Sequence, residues 1–200
     1  MRGVASSLKS QKKKSINGKQ KGNGFEREVC KKLSNWLSEG KRDDFFWRTQ
    51  LSGGRYTIRD KKGLITEGQD GDISSTTEEG KFFTNLFSIE CKNYKDLDIW
   101  SLITLTEGQN LYGFWKKLIK QSESCSKNPL LIAKQNFKPV LFICSIFLSF
   151  RLKNWFNISP ILIVPNNNPN EIMNIFLFDT ILNLDPKTFK EGVIDEGDRG

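Results

Sequence analysis

From Phe87 to Lys92 apolar and polar residues alternate, Phe87, Ile89 and Cys91 against Ser88, Glu90 and Lys92. Successive side chains of a strand point to opposite faces. The pattern therefore predicts a half-buried strand over Leu86–Lys92, with Glu90 and Lys92 side by side on its polar face. Upstream, Phe25, Val29, Cys30, Leu33, Trp36 and Leu37 recur at helical spacing, predicting a helix capped by Asn23. Phe45–Thr49 reads as a first strand and Asp72–Ser75 as the start of a second, followed by a loop. Leu111, Tyr112, Phe114, Trp115, Leu118 and Ile119 predict a second helix ending near Gln121–Ser126, with Tyr112 and Trp115 packed in the core.

Two apolar strands follow, Leu130–Lys134 and Val140–Phe147. The run Val140–Phe150 falls short of the ~20 apolar residues that span a bilayer and reads as buried strand. A short strand Ile161–Val164, a loop within Pro160–Asn170 and an edge strand within Asn174–Leu184 complete the pattern, and no internal repeat is visible. The sum is an α/β fold in the order helix, three strands, helix, strands, around a mixed sheet.

One residue breaks the helical pattern. On a wheel of ~100° per residue, Glu26 falls inside the apolar arc of the first helix, where a carboxylate is costly without compensation. Two readings stand side by side: a capping box with Asn23, or a place in a metal site. Of three Glu-x-Lys triplets, Glu39–Lys41 and Glu79–Lys81 are centred on glycine and read as solvated turns. Only Glu90-Cys91-Lys92 lies in a strand pattern. If Asp72 begins a neighbouring strand, two carboxylates and an ammonium converge, a set able to bind a divalent cation and position a water.

Composition narrows the chemistry. The chain has 200 residues, enough for one domain with its own core, and contains no histidine. Serine–histidine triads and histidine metal ligands are thereby excluded, and hydrolysis would have to rest on carboxylates, lysine and a metal. Cys30, Cys91, Cys125 and Cys144 form no Cys-x-x-Cys pair, which fits a reduced, cytoplasmic protein. The 31 basic and 23 acidic residues give +8, concentrated in a stretch without acids that holds Arg2, Lys9, Lys12, Lys13, Lys14, Lys19 and Lys21. Residues 1–21 thus read as a disordered basic arm able to gather phosphates, or as a solvated tail. No apolar segment of secretory type follows it. Residues 22–190 form the predicted domain, and 191–200 a small acidic flexible tail.

Glu26 on a first helix, Asp72, and then Glu90-x-Lys92 resemble the PD-(D/E)xK nuclease superfamily, whose fold is restriction-endonuclease-like with an αβββαβ core and a central mixed sheet flanked by helices. The opening Lys21–Leu33 and the loop Trp47–Arg55 resemble archaeal-type Holliday junction resolvases and related phage-encoded nucleases. Gly71 stands where the superfamily name has proline. The resemblance implies a Mg²⁺-dependent endodeoxyribonuclease, with Mn²⁺ able to substitute, that hydrolyses DNA phosphodiesters to leave a 5′-phosphate. Asp72, Glu90, Lys92 and Glu26 would be catalytic, and Asp72, Glu90, the Cys91 carbonyl and Glu26 would hold the metal. Ser52, Gly53 and Gly54, flanked by Arg48 and Arg55, would meet phosphates together with Lys12, Lys13, Lys14 and Lys21. The resolvase likeness further implies branched DNA, a role in recombination and a homodimer, with no membrane partner. Two alternatives remain at this level. One is a nuclease of the same fold acting on linear duplex or single strands, in restriction or in phage replication or packaging. The other is a non-catalytic nucleic-acid-binding protein with a structural ion-pair cluster.

Overall fold

A computed structural model of the chain describes residues 18–49, 71–98, 100–108 and 110–194. Helix α1 (Gly18–Leu37) precedes β1 (Phe46–Arg48), β2 (Ile73–Ser75), α2 (Glu78–Leu86) and β3 (Phe87–Tyr94). Then come the short α3 (Trp100–Thr104), α4 (Leu111–Ser124), β4 (Asn128–Gln135), β5 (Val140–Cys144) and α5 (Ile146–Phe156). The chain continues through β6 (Leu162–Val164), β7 (Met173–Leu177), α6 (Phe178–Leu182) and α7 (Pro186–Ile194).

Five strands form one mixed sheet in the order β3-β4-β5-β7-β6. β3 and β4 run parallel, and the other neighbours are antiparallel. Alternation sorts the side chains of β4 between two cores. Leu130 and Ile132 join one with Phe25, Leu33, Ile89, Leu148 and Phe189. Leu131 and Ala133 join the other with Trp115, Leu118 and Ile175. Helices α1, α5, α6 and α7 thus pack on one face, and α4 on the other. Tyr112 and Trp115 are buried in the second core, as their spacing predicts.

β1 and β2 pair with each other as a separate antiparallel ribbon. The ribbon meets β3 where the Asp72 N–H donates to the Ile89 carbonyl at 2.7 Å. Gly71 makes that approach possible. Its φ is +140°, and a Cβ there would lie 2.5 Å from the Ile89 carbonyl oxygen. Proline, locked near φ −65°, fits neither condition, which accounts for glycine at this position.

The structure corrects several sequence expectations. The predicted loop between the second and third strands contains α2, and Glu79–Lys81 is helical rather than a turn. Thr77 caps this helix by accepting the Gly80 N–H, with Glu78 and Glu79 in the first turn, where carboxylates suit the helix dipole. The run from Val140 is not one strand. It ends at Cys144, and Ile146 opens α5, whose buried Leu148 and Leu152 sit four residues apart. The strand after Met173 is interior, buried along most of its length, and β6 forms the edge instead. Asn23 does not cap α1, which begins five residues earlier, so residues 18–21 belong to the helix rather than to an arm. Residues 191–194 likewise belong to α7 rather than to a tail. The rest of both terminal segments lies outside the described residues.

Candidate active site

The site lies where the ribbon meets the exposed edge of β3. Within a strand, the N–H and C=O of one residue point the same way. Ile89 receives the Asp72 N–H, and the Cys91 N–H donates to Asp72 Oδ2 at 2.9 Å. Ile89 and Cys91 therefore turn their peptide groups away from β4 and toward Asp72, so the Cys91 carbonyl also faces the carboxylate. Asp72 is buried, and it is held from both sides because its own carbonyl accepts the Thr49 N–H at 2.8 Å.

Glu90 and Lys92 project from β3 on the α4 side and pair directly, with about a fifth to a quarter of each side chain exposed. Burial, and then the negative charge of Asp72, push the Glu90 carboxyl up to about 7, against the opposing pull of Lys92. Burial pulls the Lys92 ammonium down, but Glu90 and Asp72 outweigh it and raise its pKa. Two carboxylates and one ammonium thus share a poorly solvated space, with negative charge in excess. Burial also raises the Cys91 thiol, so the contribution of that residue is its backbone.

Glu26 projects from α1 toward β1. Its Oε2 receives Arg48 Nε at 2.8 Å, and Arg48 Nη2 donates to Asn23 Oδ1 at 3.0 Å. The pair is largely buried, with 21% of the Arg48 and 14% of the Glu26 side chain exposed. This ion pair supplies the compensation that Glu26 needs on the apolar arc, in place of a capping box, and it occupies much of the donor fork of Arg48. The charge of Glu26 still reaches Glu90 and contributes to raising it. Lys21 lies half-buried on the first turns of α1. Lys12, Lys13, Lys14, Ser52, Gly53, Gly54 and Arg55 lie outside the described residues.

Among the described residues, no three carboxylate, cysteine or histidine groups come together closely enough to hold a metal ion. The fit of a divalent cation therefore rests on the donor chemistry of a smaller set. Asp72 and Glu90 supply hard oxygens, the Cys91 carbonyl adds another, and the surplus negative charge is what such an ion offsets. The set suits a hard divalent cation and lacks the nitrogen or thiolate ligands that zinc favours.

The sequence reading missed a cleft of about 260 Å³ between β3 and α4, lined by Glu90, Lys92, Tyr94, Phe114, Lys117 and Gln121. The signal was present in the spacing. Phe114, Lys117, Leu118 and Gln121 share one face of α4 at intervals of three and four residues.

A mixed sheet flanked by helices, with Asp72 beside Glu90-x-Lys92 at a strand edge, defines a restriction-endonuclease-like core of PD-(D/E)xK type. A family model described as "Phage putative PDDEXK endonuclease" matches residues 17–191, and the chain belongs to that family. No curated protein and no solved structure shows significant similarity. No described helix is long and apolar enough to cross a membrane.

Proposed function

We propose that this endonuclease cleaves DNA by metal-dependent phosphodiester hydrolysis at Asp72, Glu90 and Lys92. The observation that carries the reading is the crowding of Asp72 and Glu90 at the β3 edge, beside a lysine that offsets only part of their charge. Asp72, Glu90 and the Cys91 carbonyl would hold Mg²⁺, which when bound lowers the pKa of water and neutralises charge on the scissile phosphate. The Cys91 N–H fixes the Asp72 carboxylate. Lys92 orients the attacking water and stabilises charge that develops on the phosphoryl oxygens. Glu26, anchored by Arg48, completes the acidic rim and meets the ion directly or through water. Lys21, Ser52, Gly53, Gly54, Arg55 and the remaining donor capacity of Arg48 would position phosphates without reading sequence. The test is cleavage of labelled single-stranded, duplex and four-way-junction DNA with Mg²⁺, and the expected products carry 5′-phosphates. Intact substrates across the whole panel would refute the reading.

A second reading places the enzyme on branched DNA as a homodimer, because a two-fold pair presents two equivalent sites to two symmetric incisions. One observation favours pairing: β6 is an edge strand, and Leu162 and Ile163 on it, with Ile161 just before it, are 44–61% exposed. Sedimentation should then show a dimer, and both strands of a junction should be cut faster than linear duplex. A monomer that cuts both substrates at equal rates would remove the junction reading and leave the nuclease one.

Two further results are expected. In the metal-free protein, the folded state keeps the Glu90 proton at pH values where the unfolded chain has released it, between the ordinary 4.5 and about 7. The contribution of Glu90 to stability is therefore full below 4.5 and declines as pH rises to about 7. Metal binding requires the carboxylate, so Mn²⁺ affinity should rise over the same window and release a proton, as calorimetry in buffers of different ionisation heat can read. Separately, removing residues 1–17 should weaken DNA binding without unfolding the domain, since α1 begins at Gly18. That loss should shrink as salt rises, in anisotropy titrations across salt concentrations.

A further inference from the structure

We infer that the cleft between β3 and α4 is a phosphate-binding subsite for the strand being cut, with Lys117 supplying the charge and Gln121 an amide donor. This rests on the nuclease reading above and adds a contact on the far side of Glu90 and Lys92 from the ribbon. Glu90 and Lys92 form one wall of the cleft, and Lys117 and Gln121 form the other. A strand placed at the proposed reactive pair therefore has the α4 wall as its neighbour. Tyr94 and Phe114 line the cleft between them, with ring centroids 5.1 Å apart and planes 30° apart, and Lys92 lies 5.6 Å from the Phe114 ring. These packed rings hold α4 at a fixed distance from β3.

Charge distribution along α4 points the same way. Lys116, its neighbour, is engaged by Glu107 at 2.8 Å and Glu171 at 3.4 Å. Lys117 is exposed, and no ion pair to it is seen among the described residues. Gln121, one turn on and half-buried, shares the face of Lys117 and can donate to an oxygen held there. An ammonium and an amide on one helix face, with Lys92 across the cleft, suit an anionic ligand with several oxygens, and the phosphodiester next to the scissile one is such a ligand. Contacts of this kind add affinity and register but no base preference.

The test compares wild type with Lys117→Ala, Gln121→Ala and, as a charge-matched control, Lys153→Ala. Lys153 lies on α5, across the sheet from α4. DNA affinity is measured with Ca²⁺ over a range of salt, cleavage with Mg²⁺, and ion affinity with Mn²⁺ alone. Lys117→Ala should raise the DNA Kd and KM about 10-fold, lower the salt slope by about one ion and leave kcat and Mn²⁺ affinity within about twofold. Lys117→Arg should restore most of the affinity, and Gln121→Ala should cost about threefold. Wild type that binds and cuts DNA while Lys117→Ala behaves like Lys153→Ala would overturn this inference and leave the nuclease reading standing. Wild type that neither binds nor cuts any DNA would overturn both.

Discussion

An Asp72→Asn protein is expected to bind DNA at least as tightly as wild type and to cut it about 10³-fold more slowly or worse. The substitution is nearly isosteric, and the Asn oxygen can still accept the Cys91 N–H that holds Asp72 at 2.9 Å. Folding should therefore survive. What disappears is the negative charge that, with Glu90, would hold a divalent cation at the β3 edge under the proposed mechanism. Loss of that charge also relieves repulsion between the site and a phosphate backbone, so affinity should hold or improve. Glu90→Gln should behave alike. Cleavage time courses and anisotropy on the same DNA check both halves of the expectation. An Asp72→Asn enzyme retaining a tenth of the wild-type rate would show that this carboxylate is not part of the machinery.

Gly71→Ala should be among the most destabilising single substitutions near the site, at about 3 kcal/mol or more. Two independent costs combine there. The backbone sits at φ +140°, which L side chains rarely adopt, and the new Cβ would fall 2.5 Å from the Ile89 carbonyl oxygen and 2.8 Å from the Ile89 nitrogen. Neither neighbour can move freely, because Ile89 is in β3 and its carbonyl accepts the Asp72 N–H. Relief requires the ribbon to withdraw from β3, which takes Asp72 away from Glu90, so activity should fall along with stability. For a domain of this size the loss corresponds to a melting temperature lower by about 10 °C. Gly71→Pro should do at least as much harm. Urea unfolding measures the effect, and an alanine variant within about 0.5 kcal/mol of wild type would contradict the tight approach.

The elements that build the site were largely legible in the sequence because each has a clean period. Strict alternation from Phe87 placed Glu90 and Lys92 on one face of a strand. The 3.6-residue spacing from Phe25 to Leu37 found α1. Glu26 was visible as a charge on the wrong arc, but its partner was not. Arg48 is 22 residues away, and only the packing of α1 on β1 brings the two together.

The misses have physical causes. Thr77-Glu78-Glu79 is a helix-start signal, yet it lay hidden inside a segment read for its chemistry. The apolar run from Val140 changes period at Ser145 without changing hydrophobicity, so a strand and a helix read as one element. The strand expected at the edge within Asn174–Leu184 lies inside the sheet instead, with Asn174 buried, because β6 pairs on its outer side. The residues of the cleft on α4 share one face of that helix and so were visible in the spacing, but that this face stands against β3 follows only from the packing.

Under the proposed mechanism this chain cuts DNA through an ion held at Asp72 and Glu90. Its most direct test incubates purified protein with supercoiled plasmid and labelled oligonucleotides, with Mg²⁺, with Mn²⁺, and with excess EDTA. Cleavage is predicted with either ion, none with EDTA, and recovery when Mg²⁺ is restored. Cleavage persisting at the same rate in EDTA would rule out a metal-dependent site.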